Sequence, residues 1–201
     1  MEVVSQAVER VAHLRKNLLD ETVPPRSRDV SEVIRLHALC AVERLMRSDP
    51  ALHLQNKWTV RVFLMIHDPG VEVRLKAISI IHQWYTGFPK RSEKVQEHLG
   101  NFAQRCLSHL VERVGDIDSR VATAAIRCLR LPALASRLED REFDDIVNLC
   151  IGGGDPSIRE EAGSFINSHV FQDPGICTAP VAKPRRGRAP EHDAGDANEP
   201  K

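Results

Sequence analysis

The chain has 201 residues, of which 42% are hydrophobic and only 4% aromatic. That length supports one domain with a real core, and β-branched residues form no alternating runs, which argues against a sheet protein. Lys and Arg number 28, as do Asp and Glu, so the formal net charge is zero. The chain thus lacks the basic excess of a free-standing nucleic-acid binder and would need local patches or a partner to touch DNA.

In chain order, Val4, Ala7, Val8, Val11, Leu14 and Leu18 recur at helical spacing, which predicts a helix over residues 3–18. Val23-Pro24-Pro25 is expected to break it, and residues 1–25 form an N-terminal helix and linker. Asp29 suits the start of a second helix that runs to Arg47 with apolar residues on more than one face, as expected of a helix covered on two sides. After Asp49-Pro50, a helix from Lys57 to His67 carries Trp58, Val62, Phe63 and Ile66. Asp68-Pro69-Gly70 turns into a helix with Val71, Leu75, Ile78, Ile81 and Trp84, ended by Gly87-Phe88-Pro89. A longer helix from Glu93 to Val114 follows, then Gly115-Asp116 and a helix with Val121, Ala125, Cys128 and Leu129. Pro132 interrupts before a helix from Phe143 to Ile151. Gly152-Gly153-Gly154-Asp155-Pro156 then leads to the last helix, with Ile158, Ala162, Phe165 and Val170. Residues 173–201 turn to Pro, Gly, Ala and charge, the composition of a disordered tail.

The turns repeat. Asp29, Asp68, Asp116 and Asp155 each stand at a helix start, followed by Arg35, Arg74, Arg120 and Arg159 and by small residues such as Ala77, Ala124, Ala125 and Ala162. Aspartate accepts hydrogen bonds from free backbone N–H groups at such a turn, and arginine can reach toward the turn aspartate of the next unit. A recurrence of about 40–50 residues is that of HEAT and armadillo units, whose helix pairs cover their apolar faces only by stacking. The expected fold is an all-α, HEAT/armadillo-like helical solenoid over residues 26–172 with a disordered C-terminal tail.

Chemistry-bearing motifs are few. Cys40, Cys106, Cys128 and Cys150 fall on apolar helix faces and read as core thiols of a reducing compartment. Cys106-x-x-His109 lacks the second ligand pair of a structural zinc site, and no His-Glu-x-x-His occurs, so no metal and no cofactor are expected. Gly152-Gly-Gly-Asp155 lacks the Lys-Ser/Thr of a phosphate loop, and no Gly-x-Ser-x-Gly or Cys-His nucleophile signature is present, so the chain is not expected to be an enzyme. Lys90, Arg91 and Lys94, and Arg113, Arg120, Arg127 and Arg130, read as a solvated face interleaved with acids rather than a phosphate-contacting stripe. Pro184-Arg-Arg-Gly-Arg188 is a short basic patch in the tail. The N-terminus has no signal-peptide pattern, and no apolar run approaches a membrane span.

Several stretches in series resemble one family. Arg26-Ser-Arg-Asp-Val-Ser-Glu-Val-Ile-Arg35, Leu64-Met-Ile-His-Asp-Pro-Gly-Val-Glu-Val-Arg-Leu-Lys76, Phe102-Ala-Gln-Arg105 through Asp118-Ser-Arg-Val-Ala-Thr-Ala-Ala-Ile-Arg-Cys-Leu129, and the segment around Ala162-Gly163-Ser-Phe165 are similar, in order and nearly without gaps, to the stromalin conservative domain of the cohesin stromal-antigen subunits. The resemblance covers roughly residues 26–172. It implies a HEAT-repeat interaction module in the nucleus, associated with chromatin and acting in sister chromatid cohesion. Its implied partners are kleisin and other cohesin subunits and regulatory peptides, with weak DNA contact and neither membrane nor small-molecule substrate. Family members present a peptide-binding surface with an aromatic pocket flanked by arginines. Gap-free alignment places those arginines at Arg28 and Arg105 and the aromatic positions at Ser27 and Leu64, which implies a shallower apolar pocket between two cations, suited to an acidic, aliphatic motif. The residues expected to form the protein-binding surface are therefore Arg28, Leu64, Asp68, Arg74 and Arg105, with Asp68 and Arg74 equally suited to cap and ladder roles. Family members run far beyond this domain on both sides, so a truncated paralogue or partial gene product is a further expectation. The other readings are a generic HEAT-repeat scaffold in trafficking or signalling and a non-functional remnant.

Overall fold

Leu, Ala, Arg and Glu favour helices, and the chain forms them throughout: no strand occurs among the described residues. The computed structural model describes residues 2–49, 52, 54–87, 90–152 and 154–171. The expected disordered tail, with Cys177 and the basic patch at 184–188, lies outside the described residues, as do Pro50, Phe88, Pro89 and Gly153.

Among the described residues ten α-helices follow in order: α1 (Glu2–Asn17), α2 (Val23–Arg26), α3 (Glu32–Ser48), α4 (Asn56–Leu64), α5 (Val71–Thr86), α6 (Glu93–Glu112), α7 (Ser119–Leu129), α8 (Pro132–Ala135), α9 (Asp140–Gly152) and α10 (Pro156–Ile166). Short 3₁₀ turns extend α4 over Met65–His67 and α6 over Arg113–Gly115. Pro24-Pro25 does not break the chain as its sequence suggests. A π-helical turn over Leu18–Thr22 joins α1 to α2, and the prolines sit in the first turn of α2, where their missing N–H groups have no helical partner to lose.

The helices that open each sequence unit lie side by side. α3 packs on α5, α5 on α7 and α7 on α10, while α4 lies against α5, α6 against α7 and α9 against α10. The core runs continuously along this row, from Leu39, Val42 and Met46 through Val73, Ala77, Ile78 and Ile81 to Val121, Ala125, Ile126, Ala162 and Phe165. Each such Leu, Ile or Phe contributes about 1.5–3 kcal/mol by burial. Phe102 of α6 is an aromatic hinge point, meeting Phe63 of α4 at 5.8 Å and Trp84 of α5 at 5.9 Å between ring centroids, both edge to face. Cys128 is fully buried and Cys40, Cys106 and Cys150 partly so, and all four are free thiols. Burial pushes the Cys106 thiol up to about 11 and that of Cys128 higher still.

α3 is less covered than its pattern suggests, with Val33 and Ile34 reaching solvent. α1 departs further. Its apolar residues Val4, Val8, Val11 and Leu14 are 60–69% exposed, so the amphipathic pattern there marks a helix whose apolar face is turned to solvent.

Candidate protein-binding surface

The repeated turn has one geometry. Asp29, Asp68 and Asp116 stand two residues before the N-cap positions Ser31, Gly70 and Asp118, and each accepts a hydrogen bond from the backbone N–H of that residue at 2.8–3.0 Å. This closes the turn by a side-chain mimic of backbone pairing. Asp118 and Asp155 are themselves N-caps, accepting from the N–H groups of Arg120 and Ser157. Asp155 is thus not the counterpart of the first three aspartates; by spacing, that position is Gly153.

At two of the four expected positions, Arg35 and Arg74, arginine reaches the turn aspartate of the next unit, whereas Arg120 bonds Asp118 and Glu72. Arg35, four residues into α3, donates from Nη1 to the carbonyls of Asp29 and Val30 and from Nε and Nη2 to the carboxylate of Asp68. Arg74, at the same position of α5, donates from Nη1 to the carbonyls of Asp68 and Pro69 and from Nη2 to Asp116 at 2.8 Å. In α7 the matching residue is Ala122, and by spacing the next unit has Gly153 where the others have aspartate, so both halves of the third rung are absent from the sequence. Glu161 of α10 joins that pair of helices instead, accepting from Arg127 at 2.8 Å and lying 3.3 Å from Arg130.

This ladder decides which of the five expected surface residues stay open to solvent. Asp68 is buried and Arg74 retains 11% side-chain exposure, and both are consumed by the ladder. They leave the surface because a partner could engage them only by breaking buried charge-assisted bonds. Arg28, Leu64 and Arg105 remain exposed. Ser27, the other aligned pocket position, is buried, its hydroxyl donating to the carbonyl of Pro24 at 2.8 Å, so it lines nothing.

The three exposed residues border α4. Leu64 ends that helix with 53% of its surface open. Arg105 of α6 reaches across to α4, where its Nη2 donates to Asn56 Oδ1 at 3.4 Å. Burial and the charge of nearby Arg28 both lower the Arg61 guanidinium pKa from its ordinary value. Arg61 escaped the sequence reading, although it lies three residues before Leu64 and therefore on the same helix side. α4 carries Lys57 and Arg61 and no acid. Its Lys57 ammonium stands 5.3 Å from the Trp58 ring. α4 thus ends in a half-open Leu64, with Arg105 meeting its first residue, Asn56, and Arg28 near Arg61.

The other basic groups are spent differently. Arg113 pairs with Asp116, Arg120 with Glu72 and Asp118, and Arg127 and Arg130 with Glu161, which makes them a paired face. Lys90 and Lys94 are exposed at the start of α6.

One cluster was not foreseen. Cys106 lines an apolar pocket with Phe63, Tyr85 and Phe102. His109 instead meets His67 and Glu112, with one ligand-type atom of each lying within 4.8 Å of the others. Burial and the charges of Arg113 and His109 lower the pKa of His67 below its usual value. Among the described residues no helix is long and apolar enough to cross a membrane. No family model matches the chain, and no curated protein matches it either.

Proposed function

We propose that the chain is a protein-interaction module of the cohesin stromal-antigen kind, whose row of paired helices is a HEAT-type stack and whose surface around α4 grips an acidic, aliphatic segment of a partner. The supporting observation is the sorting of the aligned residues: Arg28, Leu64 and Arg105 stay open around α4, while Asp68 and Arg74 hold the stack together. An aliphatic side chain would lie on Leu64 at the end of α4, and carboxylates elsewhere along the segment would meet the guanidinium groups of Arg28 and, at the other end of the helix, Arg105. The stack supplies rigidity, so binding orders little of the module itself. In this reading the module acts by binding and without catalysis, in the nucleus at chromatin, with kleisin and regulatory peptides as partners. DNA contact is secondary, since Arg113, Arg120, Arg127 and Arg130 are already paired with acids.

Affinity capture from nuclear extract followed by mass spectrometry tests this reading. Recovery of structural-maintenance-of-chromosomes proteins with kleisin supports it. Recovery of coat or transport proteins instead, or of nothing reproducible, overturns it.

A further inference from the structure

We propose that His67, His109 and Glu112 form a three-ligand site for a divalent transition metal of the zinc class. The inference is independent of the binding role assigned to α4. His67 closes the 3₁₀ turn after α4, and His109 and Glu112 are one helical turn apart at the end of α6, on the same side of the helix. The chain therefore brings two imidazoles and a carboxylate together from two elements separated by more than 40 positions.

The local geometry favours a cation. His109 Nδ1 is buried and has no hydrogen-bond partner. The nearest anionic atom is Glu112 Oε2 at 3.7 Å, beyond hydrogen-bonding reach. In a tetrahedral zinc site with bonds of about 2.0–2.2 Å, ligand atoms lie roughly 3.4 Å apart, so this pair already has nearly the required separation. The His67 and His109 rings stand at 89° with centroids 5.2 Å apart, and Phe63 packs edge to face on both. His67 and Glu112 are exposed, so small side-chain rotations can bring their ligand atoms in and a metal can enter from solvent. Two imidazoles with one carboxylate select zinc, cobalt or nickel over magnesium or calcium, which prefer oxygen. Three protein ligands leave a fourth position for water or for a partner's side chain. Arg113 limits affinity: its Nη2 lies 4.0 Å from Glu112 Oε2 while its Nη1 pairs with Asp116.

Titration of the full chain with Co2+, followed by visible absorption, tests the proposal. One equivalent should produce the intense bands of tetrahedral cobalt, displaced by Zn2+. His67→Ala and Glu112→Gln, both at exposed positions, should each weaken binding by no less than the about 10–100-fold that loss of a mere outer-shell partner costs. Arg113→Gln should strengthen it. The chain holds nine histidines, so His37→Ala serves as the control and should change nothing. Circular dichroism on each variant separates ligand loss from unfolding. Octahedral, weak cobalt binding that survives His67→Ala and Glu112→Gln overturns the proposal, as does the absence of binding.

Discussion

Arg35 and Asp68 lie 33 residues apart and meet in a two-point salt bridge, with both N–O distances at 2.7 Å and both side chains at most 10% exposed. Asp68 also ties its own turn through the N–H of Gly70, and its carbonyl receives Arg74, so one residue couples three elements. Removing one partner leaves the other charged, buried and unpaired. Asp68→Ala should therefore destabilise the chain by about 3–5 kcal/mol in urea unfolding, and Arg35→Lys should recover little of the two-point geometry. The double replacement Arg35→Met with Asp68→Leu should cost distinctly less than Asp68→Ala alone.

Glu43 holds α3 to α5. It accepts from Lys76 at 2.6 Å and from Gln83 at 2.9 Å, with Arg47 also at 2.9 Å. Burial alone would raise the carboxyl pKa, but these bonds and the charges of Lys76 and Arg47 outweigh it and hold Glu43 below its ordinary 4.5. A folded pKa below the unfolded one gives stability that is present above the unfolded value and lost as pH falls through the folded value. The stability gap between the native chain and Glu43→Gln should thus be widest near neutrality and shrink as pH drops below 4.5, measured by denaturant midpoints across that range.

Phe102 joins α4, α5 and α6 through its edge-to-face contacts with Phe63 and Trp84 and is 1% exposed. Phe102→Ala should cost about 3–5 kcal/mol, read from the same denaturation curves. Phe102→Leu should cost less, because it leaves a smaller cavity.

α1 makes the opposite prediction. Val4, Val8, Val11 and Leu14 stay exposed, so removing residues 2–17 should shift stability by no more than about 0.5 kcal/mol, as for surface changes away from the core. A large loss of thermal midpoint on truncation would mean that the α1 face is covered in solution.

Much of this architecture was legible because it rests on local signals. Helix positions follow apolar spacing, and the turn aspartates with Arg35 and Arg74 announce a link between units. Other features depend on where helices turn relative to one another, which spacing does not encode. The amphipathic pattern of residues 3–18 marks an apolar face without saying whether anything covers it. Asp155 looks like Asp68 in the sequence, yet it caps its helix directly and stands two residues later in the turn. Asp68 and Arg74 are expected either at the surface or as cap and ladder residues, and burial assigns them to the ladder. His67 and His109 meet only because the ends of α4 and α6 converge, a relation between residues 42 positions apart that the Cys106-His109 spacing could not disclose.

The central claim is that the α4 surface binds a partner through Arg28, Leu64 and Arg105, and Arg105 is its most direct test. Titration of purified kleisin into the native chain and into Arg105→Glu, with helicity followed by circular dichroism, should show affinity falling by about tenfold or more while helicity stays the same. Equal affinity in both chains, or a loss of affinity only in step with helicity, would contradict the account.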